Sequence, residues 1–178
     1  ETRVYEVSEK IAIAKMNEWA GQPLPLSAAC YMKNELRIRL SGTEVGVAAA
    51  ARELGGTQDP EGDPFWHALR EQCLPFFESA DVLWRLVVPP ATPPLGLAGD
   101  TLVDWGGSQR WLSTSQGDDA VRAAVQAVDG HATRFRGGDR SLNVFHPLAS
   151  GLAVLHQNLK NAFDPAGILN PGRLYEGM

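Results

Sequence analysis

The first third of the chain switches between two hydrophobic periods. Residues 4–7 have the period of a strand, and the segment after them has helical spacing until Gly21 and Pro23 end it. Residues 26–40 then alternate as the two arms of a hairpin would, and a second amphipathic helix begins near residue 43. The predicted order is β-α-β-β-α, a ferredoxin-like unit that lacks only its last strand.

A bridging segment and a second unit follow. Residues 63–73 favour a short helix whose apolar side chains face a core, and the earlier order then repeats. A strand at residues 82–88, a hairpin about Gly106, a helix from Asp118 and a strand from His131 succeed one another, with a Pro-rich connection in place of the first helix. We predict an α+β fold. Duplicated ferredoxin-like units form a large antiparallel sheet with helices on one face, and a C-terminal helix and turn follow.

Composition narrows the class of protein. A chain of 178 residues that is 44% hydrophobic can bury the core of one domain. The net charge of -5 comes from interspersed signs, so the chain lacks the Lys/Arg stripe with which proteins bind nucleic acid. It also lacks an apolar run of the roughly 20 residues that a membrane span needs, and a signal peptide. These features predict a soluble cytoplasmic protein, with Cys30 and Cys73 as buried, reduced thiols.

The C-terminal segment carries the most specific motif. Asp164-Pro165 ends a helix, and the glycines and proline that follow require tight turns around an Ile-Leu pair. The whole string, Phe-Asp-Pro-Ala-Gly-Ile-Leu-Asn-Pro-Gly-Arg, resembles the C-terminus of FAD-linked oxidases of the vanillyl-alcohol oxidase class. There it closes the substrate-side, or cap, domain. The resemblance implies that Asn170 and Arg173 are auxiliary flavin contacts, and a packed terminal turn with a surface Arg is the alternative.

Strings elsewhere narrow this resemblance within the class. Met-Asn-Glu-Trp-Ala-Gly-Gln-Pro-Leu-Pro, Leu-Trp-Arg-Leu, Asp-Trp-Gly-Gly and Gly-His-Ala-Thr-Arg-Phe begin at residues 16, 83, 104 and 130. They resemble the FAD-binding E subunit of bacterial glycolate oxidase. The resemblance implies oxidation of glycolate, a 2-hydroxy acid, to glyoxylate with FAD. It further implies a sister flavoprotein subunit and an iron–sulfur subunit as partners, in a cytoplasmic complex that could associate with a membrane.

The usual FAD-binding signature is missing from this sequence. No G-x-G-x-x-G string occurs, and the pyrophosphate of FAD needs such a cradle of backbone N–H groups. The chain also opens without Met, already in strand-like alternation. We therefore interpret residues 1–178 as a single cap domain whose N-terminal FAD-binding domain belongs to the same polypeptide. FAD is expected in the full-length subunit rather than in this segment, which we expect to be inactive alone.

A 2-hydroxy acid needs a cation for its carboxylate and a base for its hydroxyl proton. Arg binds a carboxylate bidentately, and an imidazole accepts protons near neutral pH. We predict Arg134 as the carboxylate clamp and His131 as the base, and the alternative for each is a structural role. Further candidates that could face the substrate lie on or beside the strands of the second unit: Arg85, Asp104, Trp105 and Arg110.

The loop after the last predicted strand raises the question of a metal site. It resembles a degraded form of the His-x-Gly-Asp-Gly-Asn-x-His string that supplies metal ligands in the sister subunit. Arg136 and Asn143 stand where the two histidines would be, and Arg140 replaces a glycine. An Arg side chain does not ligate a divalent cation, and His146 alone makes a poor site. We predict no metal.

Two functions from different classes remain open. In the first, the chain is the catalytic cap of the oxidoreductase. In the second, it is a non-catalytic module that docks the sister subunit while the partner oxidises the hydroxyacid. A hydrolase has little support, because the sequence contains no Gly-x-Ser-x-Gly string.

Overall fold

The computed structural model describes residues 1–139, 143–175 and 177. Within them an antiparallel sheet of eight strands has the order β4-β1-β3-β2-β6-β7-β5-β8. The strands are β1 (Thr2–Glu6), β2 (Leu26–Met32), β3 (Glu35–Leu40), β4 (Thr57–Gln58), β5 (Leu83–Val87), β6 (Asp100–Asp104), β7 (Gln109–Ser113) and β8 (His131–Arg136). The α+β class and the large antiparallel sheet are confirmed.

The strand order shows the duplication. Numbered within each unit, the strands run 4-1-3-2 and then 2-3-1-4, so the order in the second half is the reverse of that in the first. They meet where β2 pairs with β6, through Tyr31 opposite Val103 and Met32 opposite Leu102. The first unit is complete, because the two-residue strand β4 pairs with β1. The prediction that this unit lacks its last strand was wrong.

Helices lie on both faces of the sheet. They are α1 (Glu9–Ala20), α2 (Glu44–Leu54), α3 (Gly62–Glu71), α4 (Pro75–Glu78), α5 (Asp118–Gln126) and α6 (Ser150–Phe163). On what we call the first face, α1 and α2 cover the first unit and α5 covers the second, as the predicted arrangement requires. The bridging helices α3 and α4 pack on the second face, which the prediction left without helices. Their aromatic side chains form one buried cluster with Cys30, Leu83, Leu102 and Trp111 of the sheet.

The Pro-rich connection takes the place of a helix on the first face. Arg110 of β7 is 2% exposed and donates to the carbonyl oxygens of Thr92, Pro93 and Gly107. A buried guanidinium thereby ties a loop without its own hydrogen-bond ladder to the sheet.

Helix α6 and the C-terminal turn bury little apolar surface. No residue of α6 is buried, and Leu155, Leu159 and Phe163 are 61%, 57% and 80% exposed. Ile168 and Leu169 in the turn are also exposed. Among the described residues, no helix is both long and apolar enough to cross a membrane.

Candidate functional site

Three of the predicted site residues share the second face of the second unit: Arg85, Asp104 and His131. Strand register places Asp104, Gln109, Val87 and His131 side by side across β6, β7, β5 and β8. The next row is Leu102, Trp111, Arg85 and Thr133. Because directly paired residues point to the same side of a sheet, Arg85 is a diagonal neighbour of His131.

This part of the second face is open. Arg85 and His131 are exposed, and the apolar neighbours Val87 and Phe135 are 40% and 42% exposed. The aromatic residues of α3 and α4 cover the adjacent Leu83, Leu102 and Trp111 instead. We call the group Arg85, Val87, Asp104, Gln109, His131, Thr133 and Phe135 the open face. It brings an arginine and a histidine together within reach of a ligand.

Arg134 lies on the opposite side of the sheet from His131. It pairs with Trp84 in the β5–β8 ladder, and its guanidinium donates to Asp118 of α5 at 2.9 Å. Its side chain is 3% exposed. The structure therefore does not bring the predicted catalytic pair together, since residues 131 and 134 differ by an odd number of positions along one strand.

Arg110 is likewise on the first face, among backbone carbonyl groups. Burial lowers the pKa of its guanidinium, and the charge of Glu9 partly offsets that effect. Its position beneath the Pro-rich connection gives it a structural task that its sequence context did not indicate.

Asp104 and Trp105 form the tip of the β6–β7 hairpin. Asp104 accepts a hydrogen bond from the backbone N–H of Trp105 at 2.7 Å. Burial raises the pKa of the Asp104 carboxyl, and this hydrogen bond acts in the opposite direction. Trp105 has a positive φ of 50° and is 71% exposed, whereas Trp84 and Trp111 are buried. A strained, exposed tryptophan is available to a ligand or a protein surface.

Asn17 anchors this hairpin from α1. Its side-chain amide donates to the carbonyl oxygens of Pro90 at 3.1 Å and Gly106 at 3.3 Å, besides that of Ile13 in its own helix. Sequence reasoning did not single out Asn17, although it lies in the first of the four resemblance strings.

A cleft of about 560 Å³ adjoins the open face at His131. His146 lines it too, with a ring centroid 6.2 Å from that of His131. Burial lowers the pKa of His146, and the charges of Arg122 and His131 lower it further. From the sequence, His146 is a candidate only for a metal ligand. Within the described residues, no group of three or more His, Cys, Asp or Glu could hold a metal ion, and Arg140 of the degraded string lies outside them.

Asn170 and Arg173 lie in the C-terminal turn. Both line a groove of about 770 Å³ between this turn and α6. Asp164 fixes the turn by accepting from the backbone N–H groups of Ile168 at 3.1 Å and Leu169 at 2.8 Å. Lys160 donates to Asp164 at 2.5 Å and also to the carbonyl oxygen of Leu169.

The two cysteines differ in accessibility. Cys30 is buried, and burial raises the pKa of its thiol, so it stays protonated. Cys73 is exposed, so the prediction of a second buried thiol was wrong. The short helix α3 ends at Glu71, and Cys73 falls just beyond its apolar side.

The sequence of the chain is similar to that of a known bacterial protein. It is 45% identical over 170 residues to a protein named glycolate oxidase subunit GlcE from Escherichia coli (strain K12). The match covers 96% of this chain and 47% of that protein, so the chain spans about half the length of the curated relative. No family model and no solved structure matches. The predicted resemblance to the glycolate oxidase E subunit is confirmed, and over the matched region the two proteins are homologous.

Proposed function

We propose that this chain is the substrate-side cap domain of a flavoprotein subunit that oxidises glycolate to glyoxylate. The observation that carries the proposal is the open face, where Arg85 and His131 are exposed neighbours on one side of the sheet. The similarity to a glycolate oxidase subunit supports a small 2-hydroxy acid as the ligand.

The open face suggests a division of roles. Arg85 binds the carboxylate of the substrate, because its guanidinium offers two parallel donors to two oxygens. His131 then lies one diagonal step away to take the hydroxyl proton as the C–H bond breaks. FAD, when bound, supplies the acceptor for the hydride. Loss of one proton and one hydride converts the hydroxyl-bearing carbon to the carbonyl of the 2-oxo acid.

The described residues fit FAD only as auxiliary contacts. Asn170 and Arg173 offer an amide and a cation at the rim of the α6 groove, where they could meet the ring edge or a phosphate. The main pyrophosphate cradle then belongs to the FAD-binding domain that we propose for the other half of the polypeptide. Residues 1–178 on their own would not oxidise glycolate.

The test is substitution within the full-length, flavin-loaded enzyme. Arg85→Gln should lower kcat/KM for glycolate roughly 10- to 100-fold, mainly through KM, because a charge-assisted contact to the carboxylate is lost. His131→Asn should lower kcat roughly 100-fold or more. The matched control is Arg39→Gln, an arginine on the same sheet face that lies over Trp66 and should leave both constants unchanged. Normal turnover in both open-face variants would refute the catalytic assignment.

The uncovered side of α6 favours a second candidate function. In this alternative the chain is a non-catalytic docking module, and Leu155, Leu159 and Phe163 pack against the sister flavoprotein subunit. Residues this apolar and this exposed are typical of a surface that is buried in an assembly.

Assembly of the complex separates the two functions. Leu159→Glu should release the chain from the sister subunit while leaving its own fold intact, because α6 buries no residue. Val45→Glu is the control, since Val45 is an 81% exposed apolar residue on another helix. Co-purification followed by light scattering reads the result. Lost assembly with unaffected Arg85 and His131 variants would establish docking alone, and unaffected assembly would eliminate it.

A further inference from the structure

The outer edge of β8 is covered by the segment 143–146. This edge strand directs two backbone N–H groups outward, and each has an acceptor. The N–H of Arg134 donates to the carbonyl oxygen of Val144 at 3.0 Å, and that of Ala132 donates to Nδ1 of His146 at 3.3 Å. One acceptor is therefore a backbone oxygen, which does not titrate, and the other is an imidazole nitrogen, which does.

Arg122 of α5 holds the segment in this position. Its guanidinium donates to the carbonyl oxygens of Asn143 and Phe145, the latter at 2.8 Å, and to that of Ala132 at 3.3 Å. The same guanidinium lies 5.2 Å from the ring centroid of Trp84. The backbone of the segment thus has an anchor that is independent of His146.

The hydrogen bond from Ala132 defines the state of the His146 ring. In the neutral ring, Nδ1 is the acceptor and Nε2 carries the hydrogen. In the charged ring both nitrogens donate, so the N–H of Ala132 loses its acceptor. The titratable groups that act on the ring are Arg122 on α5 and His131 on β8, while Asp129 in the turn before β8 and Tyr175 near the C-terminus line the same cleft.

We infer that His146 is a positioning residue, whose neutral imidazole accepts a hydrogen bond from the Ala132 amide beside His131 and loses this bond on protonation, while Arg122 keeps the segment in place. The hydrogen bond itself is a feature of the fold, whereas its consequence for turnover rests on the proposed function of His131. Burial and the charges of Arg122 and His131 lower the pKa of His146, which keeps the ring neutral and the bond intact near neutral pH. Because folding lowers the pKa of His146, the stabilisation that the neutral ring gives is complete above the pKa of the unfolded chain, about 6.5. It is lost as the pH falls from there through the lower folded value.

Amide hydrogen exchange of the chain tests whether His146 holds the Ala132 amide. His146→Leu removes the acceptor and should speed exchange at the Ala132 amide roughly fivefold at pH 7.5, the equivalent of one net hydrogen bond. His146→Asn retains an acceptor oxygen in the place of Nδ1, so exchange of the Ala132 amide should stay slow. Its protection should also no longer fall when the pH is lowered, because an amide oxygen does not titrate. The Arg134 amide is the internal reference, because Val144 and Arg122 hold it whatever the charge of His146. Identical behaviour of both amides in wild type and His146→Leu would overturn the inference.

Turnover by the assembled, flavin-loaded enzyme tests the consequence for catalysis. His146→Asn should retain glycolate turnover at pH 7.5, because its amide oxygen replaces Nδ1 as the acceptor, while His146→Leu lowers kcat/KM. Equal kcat/KM values in the two variants would overturn the positioning role. If His131→Asn is fully active, the proposed function fails, but the amide exchange result at Ala132 still decides whether His146 holds the edge strand.

Discussion

Arginines on the second face of the sheet meet different surroundings in its two halves. In the first unit, Arg37 lies 4.7 Å from the ring centroid of Phe65 and Arg39 lies 5.6 Å from that of Trp66, both on α3. In the second unit, Arg85 points to the same side of the sheet and is exposed. One half of a duplicated fold thus uses its cations to fasten a helix, and the other leaves a cation exposed on the sheet.

The first face shows a corresponding difference. In the first unit α1 packs on the sheet through Ile13, Met16 and Trp19. In the second unit the Pro-rich connection stands in its place, and the buried Arg110 fixes it by hydrogen bonds. Apolar burial in one half is therefore replaced by a polar anchor in the other.

The largest effect on stability is expected where a buried pair is broken. Arg134→Met should lower the free energy of unfolding by about 3 kcal/mol, because the carboxylate of Asp118 loses its nearest cation in a partly buried site. The matched control is Arg85→Met on the open face, where the arginine is exposed, and it should change the free energy of unfolding by less than about 0.5 kcal/mol. Urea denaturation of the chain measures both. A similar loss for the two variants would contradict the assignment of faces.

Release of the Pro-rich connection should have the next largest effect. Arg110→Met removes the donors to Thr92, Pro93 and Gly107 and leaves their carbonyl groups without them, at a cost of about 2 kcal/mol. Exchange at the Thr92 amide, which donates to the carbonyl oxygen of Pro89, should rise in parallel. Protection of this amide at the wild-type level would show that other contacts, such as that of Asn17 with Pro90, hold the connection.

A smaller loss is expected where α3 is fastened to the first unit. The indole N–H of Trp66 donates to the side-chain oxygen of Thr2 at 2.9 Å. Trp66→Phe keeps most of the ring but removes this donor, and it should lower the free energy of unfolding by about 1 to 2 kcal/mol. Trp105→Phe is the matched control and should be neutral, since Trp105 is 71% exposed. Equal losses of unfolding free energy in the two variants would contradict the packing of α3 on the second face of the first unit.

The smallest effect is a local one at the C-terminal turn. The hydrogen bond from Lys160 and those from the amides of Leu169 and Ile168 lower the pKa of the Asp164 carboxyl. The turn should therefore be intact above the ordinary Asp value of about 3.9 and loosen as the pH falls through the lower folded value. Faster exchange at the Ile168 and Leu169 amides in acid would show it, and Asp164→Asn should remove the pH dependence. Global unfolding should stay unaltered, because α6 buries no residue.

Sequence reasoning recovered the strands whose side chains alternate and missed the short elements. The second arm of the predicted hairpin is β3, and its pattern is clear because Leu36, Ile38 and Leu40 alternate with two arginines. β4 is two exposed polar residues, Thr57 and Gln58, and it forms only because β1 offers it an edge. No local pattern marks such a strand, so its existence depends on the tertiary fold.

The candidate site was predicted in its residue types but not in its geometry. Alternation alone places His131 and Arg134 on opposite faces of a strand. Which face is open depends on where α3, α4 and α5 pack, and that is not encoded within the strand itself. Arg85 was therefore recognised as a candidate, while its partnership with His131 became apparent only from the strand order. His146 and Arg122 act through contacts between a loop, a helix and an edge strand. Such contacts join segments that are distant in sequence, so no single sequence motif predicts them.

In each unit the last strand pairs with the first, and this pairing affects how the chain folds. β4 pairs with β1 and β8 pairs with β5, so each unit can complete its hydrogen-bond ladder without the other. The β2–β6 junction adds two residue pairs, whereas the core under α3 and α4 draws Cys30 from one unit and Leu83 from the other. We therefore expect two units that nucleate separately, and a late docking of the bridging helices that makes unfolding a single cooperative event.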